Sequence, residues 1–146
     1  LVPWIVDQME TPALARVAGE AFSVITGANI AYDKLEGAGP EGFASGPTEA
    51  ADDEVVALDV DEHLAWPNQP AVRRWWEARA GAFPAGTRHL LGRPIEAESL
   101  LRALRSGRQR QRAAAALELA LRQPSRPLFE VRALGVRQGE ALGPTR

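Results

Sequence analysis

Leu1-Val2-Pro3-Trp4-Ile5-Val6-Asp7-Gln8-Met9-Glu10-Thr11-Pro12-Ala13-Leu14-Ala15-Arg16-Val17-Ala18-Gly19-Glu20-Ala21-Phe22-Ser23-Val24-Ile25-Thr26-Gly27 is the stretch that decides the fold. Val2, Ile5, Val6 and Met9 stand at helical steps, so the chain opens on a short helix. Glu10-Thr11-Pro12 turns it. Thr11 suits an N-cap, and Pro12 suits the first helical position, where a missing N–H costs nothing. From Ala13 to Thr26, Leu14, Val17, Ala18, Ala21, Phe22 and Ile25 recur at three- and four-residue steps and predict one apolar face. Gly27 is placed to end the helix in a left-handed cap.

The same plan returns at residues 98–123. Shifted by about 96 positions, Trp4-Ile5 falls on Leu100-Leu101, Thr11 on Gly107, and Arg16-Val17-Ala18 on Arg112-Ala113-Ala114. Small residues after each Arg allow close helix approach, and the tight turn keeps each pair antiparallel. One such hairpin cannot cover its own apolar face, so the units are expected to stack. The expected fold is all-α: two helical hairpins in a short solenoid, with a long acidic insertion between them.

Five segments of one domain follow. Residues 1–27 are the first hairpin. Residues 28–67 are an acidic, Gly- and Pro-containing insertion, largely irregular, with Phe43, Val55, Val56, Leu58 and Trp66 available to order part of it. Residues 68–93 hold a Trp-bearing helix capped by Asn68, then a turn or strand at 87–92. Residues 94–123 are the second hairpin, with Leu100, Leu101 and Leu104 inward and the alanines 113–116 favouring helix. Residues 124–146 read as an extended tail, stopped from helix by Pro124 and Pro127.

The first unit carries Pro12, Arg16 and Ala18 where a HEAT repeat places a Pro early in its second helix and an Arg followed by small residues, and it resembles that repeat. The second unit keeps Arg112 but has Arg108 in place of the Pro. A wider resemblance rests on residues 16–27, the acidic stretch before Trp66-Pro67, Trp75-Trp76, Gly86-Thr87-Arg88, and Gly107-Arg108-Gln109-Arg110-Gln111-Arg112-Ala113-Ala114-Ala115. Together these are similar to the C-terminal part of a bacterial family of HEAT-like proteins of unassigned function. That resemblance implies a longer parent chain with repeats upstream. It also implies an association with type VI secretion clusters, in an immunity or adaptor role. It carries over no catalytic residue.

The net charge of −2 conceals a split. Residues 1–66 hold 13 acids against Arg16 and Lys34; residues 67–146 hold 15 arginines against 6 acids. The halves are expected to attract one another or to face oppositely charged partners. There is no Cys, which excludes disulfides and thiolate metal sites. No basic segment precedes the apolar start, so a signal peptide is not expected, and the missing initiator Met points to a fragment or processed product. A cytoplasmic location is the default expectation.

His63 and His89 lack partners at metal-ligand spacing. Asp59-Val60-Asp61 offers two EF-hand ligand positions without the required Gly. No phosphate loop, nucleophile elbow or dinucleotide fingerprint is present, and Glu96 and Glu98 read as helix-start carboxylates. No cofactor, metal or catalytic group is therefore expected, and the leading function is non-enzymatic protein binding. Candidate partner-binding residues are the acidic Asp52, Asp53, Glu54, Asp59 and Asp61; the tryptophans Trp66, Trp75 and Trp76; and Arg105, Arg108 and Arg112. Trp75 and Trp76 are adjacent, so both cannot face one core. The acidic group could compete for the basic surface of a secreted nuclease toxin. The alternative is nucleic-acid binding, or base modification, through the arginine side of the second hairpin, which would be salt-dependent.

Overall fold

The computed structural model describes residues 1–43, 52, 54, 58–125 and 127–143. Six helices make up about half of them, and the one sheet is a hairpin of two-residue strands, so the fold class is all-α. The chain forms two compact units, residues 1–23 with 28–82, and residues 24–27 with 83–146.

The first unit begins with α1 (Val2–Gln8), which has Pro3 in its first turn. Helix α2 (Pro12–Thr26) follows after a turn in which Thr11 accepts the N–H groups of Leu14 and Ala15. Helix α3 (Gln69–Glu77) starts as expected on Asn68, whose Oδ1 accepts the Ala71 N–H at 3.0 Å. The core of this unit is Ile5, Val6, Met9, Phe22, Ile30, Leu35 and Val72, with α1 packed on α3. An exposed ion pair, Arg73 to Asp7 at 2.8 Å, spans these two helices and raises the Arg73 pKa through its hydrogen bond. Residues 28–67 are tied at a neck: Gly37 donates to Trp66 O at 2.8 Å and Asn68 donates to Leu35 O at 2.7 Å. Leu58 does not help to order this segment, being 79% exposed, and Val55 and Val56 lie outside the described residues.

The burial of α2 differs from the sequence expectation. Phe22 and Ala18 are buried as expected, but Leu14 and Val17 are 45% and 46% exposed. The buried side is instead Ala15, Arg16, Ala18, Gly19, Phe22 and Ser23, mostly small residues. Small side chains let α2 lie close to its own unit, as at Gly19 against Pro67, and this turns the larger apolar side chains outward.

The second unit is built on α4 (Ala97–Ser106) and α5 (Gln109–Arg122), which pack on each other through Leu100, Ala103, Leu104, Ala115, Ala116 and Leu119. Gly107 makes the turn possible, since a Cβ there would stand 2.5 Å from Ala103 O. Strands β1 (His89–Leu90) and β2 (Arg93–Pro94) pair antiparallel around Leu91-Gly92, which both have positive φ as a two-residue hairpin turn requires. Leu91 and Gly92 donate to Val24 O and Ile25 O at 2.7 and 3.0 Å, satisfying the last carbonyls of α2 before the left-handed Gly27.

The tail is not extended throughout. Residues Gly135–Leu142 form α6 despite Gly135 and Gly139. Side-chain grips outweigh the low helix propensity: Gln138 Nε2 donates to Val131 O and Ala133 O, and Arg105 donates to Leu142 O at 2.8 Å.

Candidate functional site

The larger apolar face of α2 is the feature that the fold leaves uncovered within its unit. Trp4, Ile5 and Gln8 of α1 and Leu14, Val17, Ala18 and Ala21 of α2 line a shallow groove of about 160 Å³ with wholly apolar walls. Trp4 is 60% exposed at its edge. Trp is a residue type enriched at binding hot spots, and here it stands beside an exposed Leu and an exposed Val. The sequence singled out none of the three as partner-binding, because regular helical spacing assigned Leu14 and Val17 to the core. The signal that could have found them is the competing small-residue side, Ala15, Ala18, Gly19 and Ser23.

Arg16, on the opposite side of the same helix, shows where the acidic segment spends part of its charge. Its guanidinium donates to Asp59 Oδ2 at 2.6 Å, with the two side chains only 9% and 13% exposed. The same group lies 4.7 Å from the Trp66 ring and 5.2 Å from the Phe43 ring, and those rings meet edge to face at 4.9 Å. The other Asp59 oxygen accepts the Asp61 N–H at 2.9 Å. Asp59 and Trp66 are therefore both half-buried and engaged inside the chain. Asp52 and Glu54 are exposed, Asp61 is half-buried, and Asp53 lies outside the described residues.

Trp75 packs inward, edge-on to Phe22 at 5.4 Å, with Arg79 stacked on it at 4.6 Å. Trp76 is half-buried and makes contacts of its own. These two adjacent rings thus leave a helix in different directions, as their spacing requires.

In the second unit the arginines divide. Arg112 donates through Nε to Leu104 O at 2.7 Å and through its terminal nitrogen to Gln138 Oε1, so it closes the α4 end and holds α6. Arg105 also reaches α6. Arg108 is exposed, its backbone N–H given to Gln111 Oε1. Two of the three members of the expected anion surface are thus committed to the protein's own carbonyl and amide oxygens. Arg16 is buried and Arg112, matched to it in the sequence, is half-buried, and each binds a segment outside its helix pair. The pairs themselves differ, α4 and α5 packing along one another while α1 packs on α3. Burial agrees at Gly19 and Ala115, Phe22 and Glu118, and Ser23 and Leu119, and differs at Ala15 and Gln111, Ala18 and Ala114, Glu20 and Ala116, and Thr26 and Arg122.

Among the described residues no three His, Cys, Asp or Glu side chains converge on a metal position. His63 is exposed; His89 is buried against Phe83, its Nδ1 3.1 Å from Thr87 O. Glu118, which replaces an apolar residue of the first hairpin, is held by both terminal nitrogens of Arg88. Glu96 starts α4, its N–H given to Ser99 Oγ at 3.0 Å, and Glu98 pairs with Arg102 one turn on. No described helix is long and apolar enough to cross a membrane. No protein-family model, curated protein or solved structure matches the chain.

Proposed function

We infer that the chain is a non-enzymatic protein-binding module, and that the α1–α2 groove receives an amphipathic helix from its partner. The observation that supports this is the exposed Trp4, Leu14 and Val17 around a groove with no polar lining. An apolar ridge laid in such a groove is a recurrent mode of helix recognition. The first unit carries 14 acids against 5 bases, so the incoming helix is one with basic flanks.

The hairpins at Arg16 and Arg112 read as HEAT-like units, each with its arginine as an internal tie. In that reading the groove is the face on which a solenoid engages what it holds. The resemblance to proteins associated with type VI secretion clusters makes a secreted toxin or a secretion component the partner of choice, with this chain as immunity or adaptor protein in the cytoplasm. The engagement of Arg105 and Arg112 weighs against the nucleic-acid reading.

The test is affinity for the toxin encoded beside the chain, measured by calorimetry with the wild type, with Leu14→Asp/Val17→Asp, and with Asp52→Asn/Glu54→Gln. The apolar pair is expected to cost at least about 2 kcal/mol, as central interface residues do. The acid pair is expected to weaken association mainly at low salt. Asp59 is left intact because its loss would strand Arg16. Undiminished binding by the apolar pair removes the groove from the interface. If the isolated chain instead dimerises through this face, the occupant is a second copy and the heteromeric reading fails.

A further inference from the structure

A second concavity lies wholly within the C-terminal unit. Between α6, the 127–133 segment and the α4–α5 pair runs a partly open cavity of about 550 Å³. Leu101, Leu119, Leu128, Phe129, Ala133 and Leu142 supply walls that are mainly apolar. Folded interiors seldom keep voids much larger than a water molecule, because unfilled apolar walls forfeit dispersion contacts. The volume falls within the roughly 300–1,000 Å³ of small-molecule sites.

How α6 is held makes the cavity more than loose packing. None of its residues is fully buried, and Val136 near its start is 74% exposed. Polar grips position it instead: Arg105 on Leu142 O, Arg112 on Gln138 Oε1, and Gln138 Nε2 on Val131 O and Ala133 O. The helix is thus fixed by its C-terminal end and its middle over an apolar space that it does not fill.

The polar lining residues are unequal. Both ends of the Gln138 amide are engaged by those bonds, and Glu130 accepts the Arg132 N–H. Arg137 lines the cavity, is exposed, and has no ion-pair or hydrogen-bond partner among the described residues. It stands in the first turn of α6, whose N-terminus has no side-chain cap and carries the positive end of the helix dipole.

We propose that this cavity binds an amphiphilic monocarboxylate, with a medium-length alkyl chain against Leu101, Leu119 and Phe129 and its carboxylate on the Arg137 guanidinium. A guanidinium fork matches a carboxylate, and an alkyl chain replaces the contacts that the walls lack.

The test titrates the full chain with decanoate and, separately, with decanol, following heat and the methyl resonances of Leu101, Leu119 and Leu142. Saturable one-to-one binding of decanoate is expected, with shifts confined to those methyls and their neighbours. Ala120→Phe, which projects a ring into the cavity, is expected to abolish binding; Ala141→Phe at the opposite wall serves if the first variant does not fold. Arg137→Gln is expected to weaken decanoate about tenfold, the worth of one charge-assisted contact, and to leave decanol unchanged. Absence of saturable decanoate binding below about 1 mM overturns the proposal. So does wild-type affinity in a cavity-filled variant, or equal weakening of both ligands by Arg137→Gln.

Discussion

Arg16 is the residue whose environment costs most to disturb. A guanidinium only 9% exposed needs its full set of partners, and Asp59 is the one anionic partner shown for it. Removing one member of a near-buried pair typically costs about 3–5 kcal/mol, because the remaining charge stays buried without compensation. Asp59→Ala is therefore expected to lower stability to urea by about 3 kcal/mol, while Arg16→Met with Asp59→Leu loses less than Asp59→Ala alone. A double variant as unstable as the sum of two independent losses would show that the pair is not coupled. The sequence offered Arg16 as a repeat marker and Asp59 as a partner-binding acid. Their 43-residue separation conceals that each answers the other. Gln69 is a different case: its Nε2 is buried and finds no acceptor among the described residues, although it begins a well-capped helix.

Caps and turns show which parts of an element are written locally. Asn68, Pro12, Gly27 and Gly107 each stand where backbone chemistry requires them, and each marked its helix boundary in the sequence. Asn68→Ala is expected to cost about 1 kcal/mol through the lost Ala71 bond, read as a lower melting temperature. Gly92→Ala is expected to cost about 2 kcal/mol or more, since Gly92 has φ +75° and a Cβ would stand 2.6 Å from Thr26 O. Neutral behaviour of Gly92→Ala would mean that the hairpin turn does not close on the end of α2. What the sequence left illegible was set by tertiary contact. Two apolar sides compete on α2, and spacing alone cannot say which is buried; the close approach of small residues decides it. Helix α6 is invisible for the converse reason, its two glycines being overruled by the bonds of its own Gln138 to the preceding segment and by Arg105 and Arg112 from elsewhere in the chain.

For the molecule as a whole, composition and periodicity gave the all-α class and the closely packed α4–α5 pair, but not the first pair as a matching hairpin, since α1 packs on α3 rather than along α2. They did not give the use made of the charge. Part of the acidic and basic content is paired internally, in Arg16 with Asp59 and Arg88 with Glu118, and the Arg112 donors are occupied by main-chain and amide oxygens. Fluorescence titration with labelled duplex DNA is accordingly expected to show no binding at about 150 mM salt, and at most a weak, steeply salt-dependent association below it. Sequence-selective binding at that salt would restore the arginine reading. The outward Trp4, Leu14 and Val17 are an apolar feature that internal pairing does not explain.

The measurement that bears most directly on that face is photocrosslinking from residues 14 and 17 in the native cell, followed by the affinity of the purified partner for the wild type and for Trp4→Ala. A discrete adduct from both positions, none from exposed Tyr32, and a loss of at least about 2 kcal/mol on removing the indole are the expected results. Adducts no different from those at Tyr32, or an unchanged affinity for Trp4→Ala, would contradict the assignment of the α1–α2 groove as the binding surface.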